Sequence, residues 1–372
     1  MNVAVFFTYN ISLTEWIDLG IYNRETLLYK KISKKNDVKY TFLSYGTNED
    51  LEVNKNFPFD IYPLYAKTKK SNNKIINFCK SLLLPFKIRK DLTHIDLLKT
   101  NQLNGAWVPI LLKYLLKKPL VIRTGYDLLS FSMKEKKNIF RILFNYLLTQ
   151  IALLTCDVYL VSSKADKKFL KKYFISTKKV RVSHNWIAPA AYSNFVDRDK
   201  NRVLSVGRLE KQKNFFGLIK CFQNSNFSVD IVGSGSLESE LKTFAKDNNI
   251  DVNFLGSLEH EKLLKLYRQY RFFILFSEFE GNPKVLLEAM SRGCIPIVKK
   301  SKNIEEIITT HKNGILFESN GSEVVEIINN LNKDTKTLET LSKNIVKNTN
   351  LKYSIDGNQN FEISLYKELV KN

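Results

Sequence analysis

The sequence predicts an α/β protein of two domains, each built on a parallel sheet. Three observations carry that prediction. Short apolar runs of strand length alternate with helical patterns along most of the chain, which is how parallel strands are joined by crossovers. The run Phe272 to Phe276 is apolar at every position, as a strand buried on both faces must be. The 372 residues, 44% of them hydrophobic, suffice for two or three cores of roughly 100 to 200 residues. Residues 187–200 lack periodicity and turn polar, so they are read as a linker. The domains expected are 1–186 and 201–352, with a last helix over about 353–371.

The first domain opens on residues 2–7 (NVAVFF), a strand rather than a signal peptide, because no basic segment or cleavage pattern accompanies it. A loop with Thr8, Asn10, Ser12 and Trp16 leads into a helix reaching about Ile32. Nine of the 14 glycines fall between Gly207 and Gly321, and this loop has none before Gly20. It offers side chains to a ligand instead, with Asn10, Trp16, Arg24 and Glu25 as candidates. Strand patterns recur at Val38 to Leu43, Phe59 to Leu64, Ile95 to Lys99 and Leu120 to Arg123. Parallel sheets bind ligands beyond the carboxyl ends of their strands, which makes Arg123, Tyr126 and Asp127 candidates too. Lys74 to Lys90 (KIINFCKSLLLPFKIRK) reads as a basic amphipathic helix broken near Pro85. It suits a membrane interface or, equally, an outer face fringed with lysine. Ile139 to Val161 is the longest hydrophobic stretch. Arg141, Asn145, Gln150 and Asp157 interrupt it, and its apolar runs are too short to span a bilayer. A strand and helix over Cys156 to Phe169 complete the domain, and Lys179 to Pro189 enters the linker.

In the second domain, Arg202 to Asn214 (RVLSVGRLEKQKN) ends a strand at Gly207 and places Arg208 and Lys213 on the turn before a helix from Phe215. Paired cations on such a turn can neutralise a phosphate, and arginine adds two-pronged geometry. Ser228 to Leu241 (SVDIVGSGSLESEL) is a strand, a glycine turn at Gly233 and Gly235, and a helix. It lacks the third glycine of a dinucleotide fingerprint. Val252 to Ser257 is the next strand, with Leu255 and Gly256 at its end, followed by a helix from His260 to Tyr270. The central crossover is FFILFSEFEGNPKVLLEAMSRGCIPIV, from Phe272 to Val298. Its strand ends at Ser277 and an acidic loop carries Glu280. Gly281 and Asn282 precede a helix opened by Pro283, with Glu288 further along it. The helix N-terminus, at Lys284, Val285 and Leu286, offers amides to an anion. A helix over Asn303 to Ile308, a strand over Asn313 to Phe317 and a helical tail from Ser322 close the chain.

The net charge is +21 and is unevenly placed. Residues 1–190 hold 32 Lys and Arg against 14 Asp and Glu, while the remainder holds 26 against 23. The field of the first half suits an anionic membrane or another polyanion. Four cysteines and four histidines are scattered without metal-ligand or redox spacing. Buried free thiols in a reducing compartment are expected, and no metal site.

Glu280 and Glu288, with FEGNPKVLLEAMSRGCIPIV around them, resemble the acidic motif of retaining glycosyltransferases of family 4. Arg208 and Lys213 match that family's cationic turn, and Asn185 matches an asparagine near its linker. The resemblance implies the GT-B fold, two Rossmann-like domains facing a cleft, with the last helix packed back on the first. It implies transfer of a sugar, with retention and without a metal or other cofactor, from a nucleotide-diphosphate sugar. Arg208 and Lys213 would hold the diphosphate, Glu280 the sugar hydroxyls and Glu288 the ribose. Gly207, Gly233, Leu255, Gly256, Gly281, Asn282, Lys284, Val285 and Leu286 would complete the donor pocket. Asn10, Trp16, Arg123, Tyr126 and Asp127 would lie on the acceptor side, the last three where many members carry a histidine. A glycan or lipid-linked saccharide would be the acceptor, in polysaccharide or lipopolysaccharide assembly. The enzyme would then be cytoplasmic, peripheral on the inner face of the plasma membrane through its basic domain. The other readings are an epimerase of the same fold, a non-catalytic subunit and a nucleic-acid-binding protein. No recognised nucleic-acid module or aromatic-interleaved basic repeat favours the last.

Overall fold

The computed structural model describes residues 1–18, 20–53, 57–318 and 320–371. It divides into two compact units, Met1–Ser183 with Asn358–Asn372, and His184–Gly357. The first unit runs through β1 (Asn2–Phe6), α1 (Leu13–Asp18), α2 (Tyr22–Lys35), β2 (Lys39–Ser44), α3 (Glu49–Glu52), β3 (Asp60–Pro63), α4 (Lys74–Ile88), β4 (Leu97–Thr100), α5 (Trp107–Leu116), β5 (Leu120–Arg123), α6 (Leu128–Lys134), α7 (Ile139–Thr155), β6 (Val158–Val161), α8 (Lys164–Tyr173) and β7 (Val180–Val182). Its strands form one parallel sheet in the order 3-2-1-4-5-6-7. The chain order reverses between β1 and β4, the place at which open parallel sheets bind ligands.

Three sequence expectations change here. The helix reaching Ile32 is two helices, α1 and α2, because Gly20 adopts φ +63, a left-handed conformation that ends a helical turn. Pro85 does not break α4, which runs on to Ile88. Proline removes one amide donor there, and packing holds the helix together: Pro85 and Leu84 are buried, and Trp107 of α5 donates its indole N–H to Ser81 at 2.9 Å. Cys79 is exposed rather than buried. At the sheet centre, buried Lys99 of β4 pairs with Glu362 and donates to Tyr366 Oη at 3.0 Å.

The second unit runs through β8 (Asp199–Val206), α9 (Phe215–Cys221), β9 (Ser228–Val232), α10 (Glu238–Asp247), β10 (Val252–Phe254), α11 (His260–Leu266), β11 (Tyr270–Leu275), α12 (Lys284–Ser291), β12 (Ile295–Lys299), β13 (Ile315–Phe317), α13 (Val324–Asn332) and α14 (Thr335–Lys352). The helix α15 (Ile355–Lys371) begins in this unit and ends in the first. The parallel sheet has the order 10-9-8-11-12-13. All six residues of β11 are buried, as its uninterrupted apolar run requires. The helix expected over Asn303 to Ile308 is only a 3-10 turn, Ile304–Glu306, and that from His260 stops at Leu266 before a second 3-10 turn.

Candidate functional site

In the second unit the reversal of chain order falls between β8 and β11, which lie side by side. The turn after β8 carries Arg208 and Lys213, and the loop after β11 carries Glu278 and Glu280. Adjacent parallel strands deliver both loops to the same edge of the sheet. Lys213 Nζ meets Glu280 Oε1 there, and the two side chains are 13% and 9% exposed. A cation and an anion so far from bulk water attract more strongly than a surface pair does. Backbone bonds fix the approach: the Glu278 amide donates to Gln212 O at 2.9 Å, and Gln212 Nε2 donates to Phe279 O at 2.8 Å. Glu278 accepts from Lys299 Nζ at 2.7 Å and from Asn214 Nδ2 at 2.6 Å.

Arg208 stands exposed on the same turn. Beside it, the Ser236 amide and hydroxyl hold the Glu210 carboxyl below its ordinary value, and the Arg208 charge adds to the effect. Gly233 and Gly235 have a structural reason to lack side chains. A Cβ at Gly233 would fall 1.9 Å from Gly207 O, and one at Gly235 would fall 2.5 Å from Leu209 O. The glycine turn after β9 therefore packs directly on the backbone of the cationic turn. Gly207 itself lies against the methylenes of Lys213, 3.3 Å from where its Cβ would be. Leu255 donates its amide to Ile231 O at 2.9 Å and Gly256 accepts from the Gly233 amide at 2.8 Å, so part of the backbone at the end of β10 is engaged by the sheet.

Helix α12 begins after Pro283, which supplies no side-chain cap. The Val285 and Leu286 amides of its first turn thus lack the side-chain acceptor that most helices provide. Gly281 and Asn282, both buried, lead into it. Asn282 accepts twice from Asn185: its Oδ1 accepts the Asn185 amide at 3.0 Å and its carbonyl accepts Asn185 Nδ2. Lys284 Nζ sits 4.9 Å above the Trp186 ring. Further down the helix Glu288 is 4% exposed. Its Oε1 lies 3.0 Å from His260 Nε2, while its Oε2 is buried without a hydrogen-bond partner. An orphaned carboxylate oxygen costs desolvation unless a ligand hydroxyl completes it. His260, Trp186 and Gln212 carry no signal in the sequence. They sit in apolar or polar runs with no motif of their own, and only tertiary contact distinguishes them.

The acceptor-side candidates belong to the first unit and divide sharply. Asn10 is at the carboxyl end of β1 with φ +67, and its Oδ1 is buried without a partner. Its loop touches the one after β4 through the Tyr9 amide, 2.9 Å from Asn104 O. Trp16 is a core residue, 4% exposed and stacked on Phe7 at 4.0 Å. Asp127 is 1% exposed and caps α6, its Oδ1 accepting the Ser130 amide at 2.7 Å. Burial pushes its carboxyl up to about 7; the Ser130 hydrogen bond opposes this and the Asp166 charge adds to it. Tyr126 is 37% exposed with its ring 4.5 Å from Phe131, and Arg123 ends β5, its amide bound to Thr100 Oγ1 at 3.0 Å. Arg24 and Glu25 pair with one another at 3.3 Å. Among the described residues no three His, Cys, Asp or Glu side chains converge as metal ligands.

Residues 192–348 match the family model described as glycosyl transferases group 1. A Campylobacter jejuni protein named N-acetylgalactosamine-N,N'-diacetylbacillosaminyl-diphospho-undecaprenol 4-alpha-N-acetylgalactosaminyltransferase is 30% identical over 196 residues, which cover 50% of this chain and 53% of that one. An Escherichia coli protein named UDP-Gal:alpha-D-GlcNAc-diphosphoundecaprenol alpha-1,3-galactosyltransferase is 25% identical over 302 residues, 75% of this chain and 77% of that one. Three relatives at 27 to 30% identity are matched over only 50 to 60% of their own length. Among solved structures, Anabaena Alr3699/HepE in complex with UDP and glucose has a TM-score of 0.76 at 15% identity, covering 99% of this chain and 100% of that one. The likeness establishes the fold. The fold is thus GT-B, and the sequence match to glycosyl transferases group 1 is confined to residues 192–348.

Proposed function

We propose that the protein transfers a sugar, with retention and without a metal ion, from a nucleotide-diphosphate sugar to a saccharide carried on a lipid. The observation that carries this reading is the meeting of Lys213 and Glu280 at the edge where β8 and β11 end. In the free protein each neutralises the other. Lys213 and Arg208 would take the diphosphate and stabilise the negative charge that grows as the glycosidic bond breaks, where preorganised charge is most effective. Glu280 would then accept from hydroxyls of the sugar. The amides of Val285 and Leu286 would assist the phosphate, and Glu288, held by His260, would accept from the ribose through its unpartnered oxygen. On the acceptor side, Asn10 and Tyr126 would offer polar contacts. Support for the substrates comes from relatives whose names specify undecaprenol diphosphate acceptors and from a structural neighbour that holds UDP and glucose.

The lysine-rich first half would hold the enzyme at an anionic surface on the cytoplasmic face of a membrane, where a few basic residues at roughly 1 kcal/mol each suffice. Release of nucleoside diphosphate, followed with undecaprenol-diphosphate saccharides and a panel of donors, tests the reaction. Transfer that needs both substrates, and falls at least about a hundredfold in Lys213→Ala and Glu280→Ala, is expected. Full activity in both variants, or altered nucleotide sugar made without any acceptor, would overturn it.

A further inference from the structure

The outer side of α7 is apolar where a surface helix is usually polar. Phe140 is 80% exposed, and Leu143, Leu147, Ile151 and Leu154 are each 47 to 51% exposed. Their spacing of three, four, four and three residues puts them in one stripe along a helix about 25 Å long. The inner side buries Leu148, Ala152 and Leu153 together with polar groups that are satisfied there: Asn145 donates to Ser132 Oγ and Thr149 donates to Asn145 O at 2.7 Å. Such a face is far from the scattered single apolar residues of an ordinary surface. A second stripe lies on the neighbouring α4, where Ile75, Leu83 and Phe86 are 74%, 57% and 53% exposed. The helices are neighbours through Phe78 and Phe144, whose rings are 6.0 Å apart.

Charge indicates what covers the stripes. From Lys74 to Lys90 there are five basic residues and no acid. Lys134, Lys136, Lys137 and Arg141 surround the start of α7, with Glu135 the one acid and already paired to Lys137 at 3.2 Å. A second copy of the chain would bring two such basic collars together, and repulsion opposes that. An anionic bilayer neutralises the collar and takes up the apolar side chains. No helix among the described residues is long and apolar enough to cross a membrane, so the helix would lie in the interface. We infer that the outward stripe of α7, with that of α4 beside it, inserts into the acyl boundary of an anionic membrane. The surface is therefore held by apolar contact as well as by lysine charge. This deepens the proposed lipid-carried acceptor and rests on it for its purpose.

The test is sedimentation of the full chain with phosphatidylglycerol-containing vesicles and with pure phosphatidylcholine vesicles, at about 0.15 M and about 0.5 M salt. The wild type should bind the anionic vesicles and keep part of that binding at high salt. Phe140→Ser/Leu147→Ser should lower the partition coefficient by about tenfold or more at both salts, with an unchanged thermal melt because both side chains are exposed. Lys136→Gln/Lys137→Gln/Arg141→Gln should weaken binding chiefly at low salt. Wild-type partition by the serine variant would overturn the inference. So would a solution dimer that the same variant dissociates while the wild type ignores vesicles, which would make a second copy the occupant. Nucleotide release with a short, water-soluble acceptor separates this from the reaction itself: the serine variant should keep it. A wild type that binds vesicles but transfers nothing to any acceptor leaves the surface standing and removes the proposed reaction.

Discussion

His260 and Glu288 show how a single contact assigns work that a motif leaves undivided. The imidazole takes one carboxylate oxygen at 3.0 Å and leaves the other buried and unpartnered, so the carboxylate is aimed before any ligand arrives. Replacing His260→Gln should raise the KM for the donor about tenfold, the worth of one hydrogen bond to a charged group, while kcat changes little. An equal fall in kcat, measured in steady-state transfer, would instead give His260 a part in the chemical step. Asp127 yields a pH prediction at the same scale. Burial raises its carboxyl to about 7 from an ordinary value near 3.8, so the folded state binds its proton more tightly than the unfolded chain does. The contribution of this group to stability is fully present below about pH 4, is lost between about pH 4 and pH 7, and is level above that. The shift amounts to a cost on the order of 4 kcal/mol at pH 8. Asp127→Asn keeps a side-chain cap for α6 and cannot ionise. Urea melts should show its advantage over the wild type opening across that interval and then holding constant. A pH-independent difference would contradict the assignment.

At the scale of elements, α15 is anchored by one buried ion pair. Lys99 and Glu362 are 1% and 2% exposed, Tyr366 Oη accepts from Lys99 Nζ, and the Tyr29 ring lies 5.1 Å from the ammonium. Burial depresses the Lys99 pKa, and the Glu362 charge resists that. Glu362→Ala should cost about 3 to 5 kcal/mol by stranding the ammonium, whereas Lys99→Met/Glu362→Leu should recover most of it. Denaturant melts that rank the two variants the other way would show that the charges themselves hold the helix.

This pair was invisible in the sequence, since its partners lie 263 positions apart and carry no local signal. What was legible depended on the chain alone. The strand over Leu120 to Arg123 has the bounds that its apolar run gives it, and the turn after β8 and the loop after β11 are each marked by a strand run, a glycine and a helix start close together in the sequence. Local signals failed where packing overruled them. Pro85 sits inside α4 because its neighbours are buried, and Trp16 joins Phe7 in the core. Asp127 turns inward as a cap rather than outward. The apolar runs from Ile139 are too short to span a bilayer, and nothing in the composition of the stretch says which side of the helix faces out.

For the whole molecule, the proposed reading gives the two units different work. The second, with close backbone approaches at Gly233 and Gly235, the Lys213–Glu280 pair and the half-partnered Glu288 carboxylate, would take the small anionic ligand. The first, with exposed apolar helices amid a strongly basic sequence, would take the surface. In the proposed function Lys213, Glu280 and Glu288 form one pocket for a nucleotide-diphosphate sugar. Ligand-induced thermal shift of the full chain across a nucleotide-sugar panel tests it most directly, because a ligand that binds only the folded state stabilises it by about 2.7 kcal/mol at a hundred times its Kd. The expected result is a rise in Tm with at least one nucleotide sugar that is lost in Lys213→Ala and reduced in Glu288→Gln. A rise that both variants retain in full, or no rise with any nucleotide, would contradict it.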